Sequence, residues 1–257
     1  MIIQDKVIVI TGGASGLGLA TARYMANEKG ARVAIFDMNA EAGHAAAADI
    51  GERAMFVETD VSNDESVRAA VEAVVATFGT IHVCINAAGL AGPSKVLGKD
   101  GKATSLARFA QTIAVNLTGV FNVMSKCAEQ MATNEPEAGE ERGVVINISS
   151  GAAFEGSIGQ CAYAASKAAL LGLNMPAARE LGAVGVRVNA IAPGLFMTPM
   201  VNELEEKVVA SLLTVVEAPK RLGDMREFAH CCAFIIENAY LNAETIRLDA
   251  ASRLRAR

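Results

Sequence analysis

Val7-Ile8-Val9-Ile10-Thr11 is a continuous β-branched run, and Gly12-Gly13-Ala14-Ser15-Gly16-Leu17-Gly18 follows it directly. An alanine-rich stretch with helical spacing comes next. Strand, glycine loop and helix in this order make the fingerprint of a dinucleotide-binding βαβ unit. Gly12, Gly16 and Gly18 let the backbone turn tightly and approach a pyrophosphate with no Cβ in the way. Ser15 and Leu17 open the helix, whose N-terminal N–H groups attract the phosphates. Nineteen residues past Gly18 the second strand ends in Asp37. A carboxylate there accepts hydrogen bonds from ribose hydroxyls and repels a 2′-phosphate, which favours NAD over NADP. Asp60, with Val61 beside it, is a further candidate for the adenine end, or else a loop cap.

Outward from this unit, short apolar runs alternate with helical stretches: Val7–Ile10, Val33–Phe36, Ala54–Val57, Val83–Ile85, Val144–Ile148, Val186–Ile191 and Thr245–Leu248. Near-continuous rather than alternating hydrophobicity suits strands covered on both faces. The expected fold is α/β: one Rossmann-type, doubly wound parallel sheet of about seven strands with helices on both faces. Residues 1–257 are expected to form a single catalytic domain. Ser62 and Glu65 have the spacing of a capping box before the helix ending near Phe78. Pro176 should bend the helix that begins near Tyr163, close to Gly172. Two polar insertions interrupt the pattern, 90–104 and 133–143; the acidic second reads as a plain solvated loop.

The chain is 52% hydrophobic with net charge −5, and no apolar run approaches the roughly 18 residues of a membrane helix. No basic stripe points to nucleic acid. The start, Met1-Ile2-Ile3-Gln4-Asp5-Lys6, has no basic leader and enters a strand almost at once, so a cytoplasmic protein is expected. Five cysteines without a C-x-x-C pair read as reduced thiols acting as small hydrophobes, with no metal site expected.

Tyr163-Ala164-Ala165-Ser166-Lys167 places a phenol and an ammonium four residues apart on one helix face. A phenol near pKa 10 is a poor base at neutral pH, and a neighbouring cation favours its ionised form. With the glycine loop, Asn86-Ala87-Ala88-Gly89, Asn116, Ile148-Ser149-Ser150 and Pro193-Gly194, this pair stands in the order found in short-chain dehydrogenase/reductases, and the chain resembles that family over about residues 5–250. The resemblance implies that Tyr163 is the general acid/base and that Ser150, thirteen residues before it, holds the substrate oxygen. Lys167 would lower the tyrosine pKa and hold the nicotinamide ribose. Asn116 would anchor a water relaying protons to Lys167, with a plain helix hydrogen bond as the lesser alternative. Asn86, Ala87, Gly89, Pro193, Gly194 and Thr198 would line the cofactor, and Gln160 the substrate.

Within the family, Ala152-Ala153-Phe154-Glu155-Gly156, Gly159-Gln160, Arg221-Leu222-Gly223-Asp224 and Ile246-Arg247-Leu248-Asp249 resemble members that oxidise 3-hydroxyacyl-CoA thioesters or hydroxysteroids with NAD as homotetramers. The sequence departs from them in lacking a presequence and in Ser157. Lys95, Lys99 and Lys102 in the first insertion, against the single acid Asp100, are candidates for the anionic coenzyme A, with an ordinary solvated loop as the equal alternative. A hydroxysteroid or simple secondary-alcohol dehydrogenase, or a silent NAD-binding scaffold, are the alternatives.

Overall fold

The computed structural model describes residues 1–92, 95–198 and 206–255. Every residue of the first strand, β1 (Val7–Thr11), is buried, as its unbroken apolar run requires. It is joined by β2 (Arg32–Asp37), β3 (Ala54–Glu58), β4 (Val83–Asn86), β5 (Gly143–Ile148), β6 (Val186–Pro193) and β7 (Thr245–Leu248). All seven lie in one parallel sheet in the order β3-β2-β1-β4-β5-β6-β7. The expected strands are all present, most extended by a residue or two.

Alternate side chains of each strand serve two cores. Ile8, Ile10, Val33, Ile35 and Ile146 meet α1 (Gly16–Asn27), α2 (Ala40–Ile50) and the late helix Met225–Glu237 on one face. Val7, Val9, Phe36, Val145 and Val188 meet α3 (Asp64–Phe78), α5 (Gly119–Met131) and α6 (Cys161–Gly182) on the other. Each fully buried Val or Ile contributes about 1.5–3 kcal/mol relative to exposure. Because order reverses between β1 and β4, their carboxyl ends flank the crevice where doubly wound folds bind ligands.

Three sequence readings need correction. Helix α3 is capped by Asn63, whose side chain accepts from the Ser66 N–H, and not by Ser62. The Ser62 hydroxyl instead donates to Asp60; the capping box lies at Asp224 and Glu227, before Met225–Glu237. Pro176 does not break α6, which runs unbroken from Cys161 to Gly182. Pro176 and Gly172 both face solvent, so water can take the Gly172 carbonyl that loses its N–H partner. Finally, the acidic 133–143 insertion is not simply solvated. Its Glu141 is buried, paired with Arg187 at 2.7 Å and with the Met1 ammonium at 2.9 Å. Cys231 and Cys232 lie buried in the first core, and none of the five cysteines is bridged.

Candidate active site

The glycine loop turns back toward β4. Gly12 sits at φ +64°, and a Cβ there would lie 2.9 Å from Ala88, so the two loops close on each other only through glycine. A Cβ on Gly18 would stand 2.8 Å from the Gly12 carbonyl carbon. Ser15 precedes α1 without a side-chain cap, so no hydroxyl of its own occupies the first-turn N–H groups. The Thr11 hydroxyl accepts from the Ala88 N–H at 3.0 Å, tying the ends of β1 and β4. Asn86 donates to Asn147 at 2.9 Å inside the sheet, and Ala87 and Gly89 continue the rim.

At the end of β2 the half-buried Asp37 carboxylate accepts from Ala14 N–H at 3.1 Å and Asn39 N–H at 3.0 Å. It therefore stands at the glycine loop with lone pairs to spare. Asp60 lies past the end of β3 and accepts both the N–H and the hydroxyl of Ser62 through Oδ1. Val61 is buried against Gly119. A cradle without Cβ atoms, uncapped helix N–H groups and a carboxylate at ribose distance in sequence together fit a dinucleotide.

Across the crevice, α6 carries Tyr163 and Lys167. Lys167 is 4% exposed, its Nζ donating to the Ile148 carbonyl at 2.6 Å and lying 5.9 Å from the Tyr163 ring centre. Burial pulls the lysine down to about 8. Burial likewise raises the Tyr163 phenol, while its hydrogen bond with Ser150 acts the other way. The choice between neighbouring serines is visible in their partners: the buried Ser149 hydroxyl donates to the Lys167 carbonyl, whereas Ser150 meets Tyr163.

Asn116 is fully buried in a π-turn, Ala114–Thr118, between α4 (Leu106–Ile113) and α5. It accepts from Leu90 N–H at 2.7 Å and donates to the Leu90 carbonyl and to Ser166 Oγ. Ser166 in turn donates to the Tyr163 carbonyl, so Asn116 links the loop after β4 to the turn of α6 bearing the phenol. Asn116 also lies beside the lysine: a Cβ on Gly89 would be 3.5 Å from the Asn116 Oδ1 and from the Lys167 Nζ alike.

Ser150 and Tyr163 open into a cavity of about 440 Å³, which also takes in Gln160, Pro193 and Gly194. Gln160 Oε1 accepts from the Ser157 N–H, and Thr198 follows on the Gly194 side, its N–H bonded to Phe196. Sequence reading missed Ala91, Glu155, Ile158, Arg247, Ser252 and Leu254 on the same wall. Lys95, Lys99 and Lys102 are exposed on a small hairpin closed by a Leu97–Ala103 bridge, and none of them lines the cavity. Arg108 reaches from α4 toward Gly92 at the cavity mouth.

A strand-order switch, a glycine loop, and Ser150 and Tyr163 on one cavity with Lys167 buried behind the tyrosine define an oxidoreductase of the short-chain type. Residues 6–209 match the short chain dehydrogenase family, and the chain belongs to it. It is 45% identical over 253 residues to "3-hydroxyacyl-CoA dehydrogenase type-2" of Homo sapiens, covering 98% of this chain and 97% of that protein. A protein of the same description from Mycobacterium avium superposes with TM-score 0.93 at 39% identity, over 100% of this chain and 98% of the other. The 3-ketoacyl-(acyl-carrier-protein) reductase of Brucella melitensis, solved with NADH, gives TM-score 0.86 at 26% identity, covering 98% and 100%. These likenesses point to a nicotinamide cofactor. Among the described residues no helix is long and apolar enough to cross a membrane.

Proposed function

We propose that residues 1–257 form one catalytic domain that interconverts 3-hydroxyacyl-CoA and 3-oxoacyl-CoA with NAD. The observation carrying this reading is that Ser150 and Tyr163 line one cavity with the buried Lys167 behind the tyrosine ring, in a chain so similar to 3-hydroxyacyl-CoA dehydrogenase type-2. Gly12, Ser15, Gly16, Leu17 and Gly18 would hold the pyrophosphate and Asp37 the ribose. Asp60 and Val61 lie toward the adenine, and Asn86, Ala87, Gly89, Pro193, Gly194 and Thr198 toward the nicotinamide. When bound, the nicotinamide supplies or accepts the hydride.

In the reducing direction the substrate carbonyl oxygen accepts from Ser150 Oγ and Tyr163 Oη, so developing alkoxide charge meets two placed donors. Tyr163 then gives its proton to that oxygen. A phenol raised by burial would hold its proton too tightly; its hydrogen bond with Ser150 works against that, and the Lys167 ammonium, 5.9 Å from the ring, would add to it by favouring phenolate. Asn116 fixes the loop beside that lysine. Oxidation runs the same contacts in reverse.

The thioester's anionic carrier fits the exposed Lys95, Lys99 and Lys102 with Arg108 at the cavity mouth. NAD over NADP follows from the Asp37 carboxylate. We also propose a cytoplasmic homotetramer. Unbridged cysteines suit a reducing compartment, and large apolar side chains stay exposed on α4 (Leu106 and Phe109) and on α5 (Phe121). The direct test is turnover of acetoacetyl-CoA with NADH; turnover of simple ketones but of no thioester would refute the acyl-CoA reading.

A further inference from the structure

The far wall of the cavity is built by the end of the chain. After β7 the backbone turns through Ala250 and Ala251, both left-handed at φ +48° and +55°. Ser252 and Leu254 then come to face the same space as Ser150 and Tyr163. Left-handed backbone at two successive non-glycine residues is strained, so the turn persists only if the surroundings hold it.

One carboxylate collects most of what holds it. Glu155 accepts from Arg247 at 2.8 and 3.1 Å, lies 3.5 Å from the Arg253 guanidinium, and accepts the Leu254 backbone N–H. Asp249, 6% exposed, accepts from the same two arginines at 2.8 and 3.2 Å. Arg247 also stacks over Phe154 at 4.5 Å, and Ser157 Oγ donates to the Arg255 carbonyl. The network ends at the reacting region, because a Cβ on Gly194 would be 2.7 Å from the Asp249 Cβ. Two arginines and two carboxylates balance in this network, so they give the cavity a fixed boundary and no spare ion for a charged substrate tail.

We infer that residues 249–255 form a size-limiting wall of the substrate cavity and that Glu155 is the positioning residue that latches it closed. Glu155 thereby sets how long an acyl group the site accepts, an inference that rests on the acyl-thioester reading above. Releasing the latch lets Leu254 swing away, lengthening the cavity while loosening the grip on a short chain.

The test uses the full-length enzyme, Glu155→Gln and Leu254→Ala, with 3-oxoacyl-CoA substrates of four, eight and twelve carbons. In both variants the ratio of kcat/KM for the twelve- over the four-carbon substrate should rise about tenfold, the range pocket walls control. In Glu155→Gln the loss on the four-carbon substrate should fall in KM, with NADH affinity within about twofold of wild type. An unchanged chain-length ratio, or a uniform loss on all chain lengths with weakened NADH binding, overturns the latch. Should Glu155→Gln fail to fold, Leu254→Ala and Arg253→Met decide by the same ratio. If the wild type turns over no thioester, the acyl reading falls, and the wall is judged by 2-decalone against cyclohexanone. The bulky ketone must then gain in the variants for the latch to stand.

Discussion

Replacing Asp37 by alanine should change the cofactor preference by a calculable amount. On the proposed reading a ribose hydroxyl of NAD would donate to this carboxylate, a charge-assisted bond worth about 1.5–3 kcal/mol, or roughly 10- to 150-fold in Kd. In NADP a doubly charged phosphate would stand about 5 Å from it. At an effective dielectric of about 20 that repulsion is about 6–7 kcal/mol, and solvent and salt around a half-buried group cut it to about 2–3. The two effects add to about 3.5–6 kcal/mol of discrimination, both carried by one side chain. Alanine also orphans the Ala14 and Asn39 N–H groups that bond the carboxylate, so the glycine loop itself should loosen. NADH should therefore bind at least tenfold more weakly, while NADPH binding improves or holds. Titration of nicotinamide fluorescence gives both constants, with the melting temperature reporting on the loop. If the NADH/NADPH ratio of Kd shifts by less than about threefold, Asp37 does not face the ribose and the argument for NAD fails.

Tyr163→Phe should leave NADH affinity nearly intact and cut turnover at least about a hundredfold, the cost of losing a general acid; a variant keeping a tenth of normal activity would remove Tyr163 from that role. Changing Lys95, Lys99 and Lys102 together to alanine should raise KM for acetoacetyl-CoA several-fold, less so at high salt, and spare an uncharged ketone. Equal effects on both substrates would dissociate the loop from coenzyme A. His82 is held neutral by burial, its pKa pulled down to about 4 from 6.5, and its Nδ1 accepts the Val7 N–H. Its folded pKa is depressed, so this stability is whole above pH 6.5 and is lost as pH falls toward 4. Urea midpoints of wild type should drop more steeply across that window than those of His82→Asn, and parallel curves would contradict the assignment.

The inner strands were legible because they are near-continuous apolar runs, and burial on both faces is what such runs encode; the edge strands β3 and β7, only half-buried, showed as shorter apolar stretches at the spacing the others set. The close approach of the glycine loop to the end of β4 was equally plain, since glycine spacing reports backbone approach. Local rules failed where a longer-range partner won. Ser62 lost its cap to Asn63 because Asp60 takes the hydroxyl. Glu141 looked like one more surface acid because Arg187, its buried partner, arrives only with β6. Pro176 kept its helix because the affected carbonyl is on the wet side. Leu254 gave no signal at all, since its place on the cavity depends on a turn through two alanines, a residue type seldom found in left-handed turns.

The π-turn at Ala114–Thr118 has the arithmetic of a misprint. An α-helix advances about 100° per residue, so one surplus residue rotates everything after it by more than a quarter turn. Upstream the rod offers Leu106 and Phe109 to the outside, whereas downstream it offers Val123, Cys127 and Met131 to the sheet. Asn116 is buried at the point where those two phasings are spliced. Deleting a single neighbouring residue would mend the count, leaving a more regular helix whose asparagine points the wrong way. Here an error in periodicity, kept on purpose, is what aims a side chain.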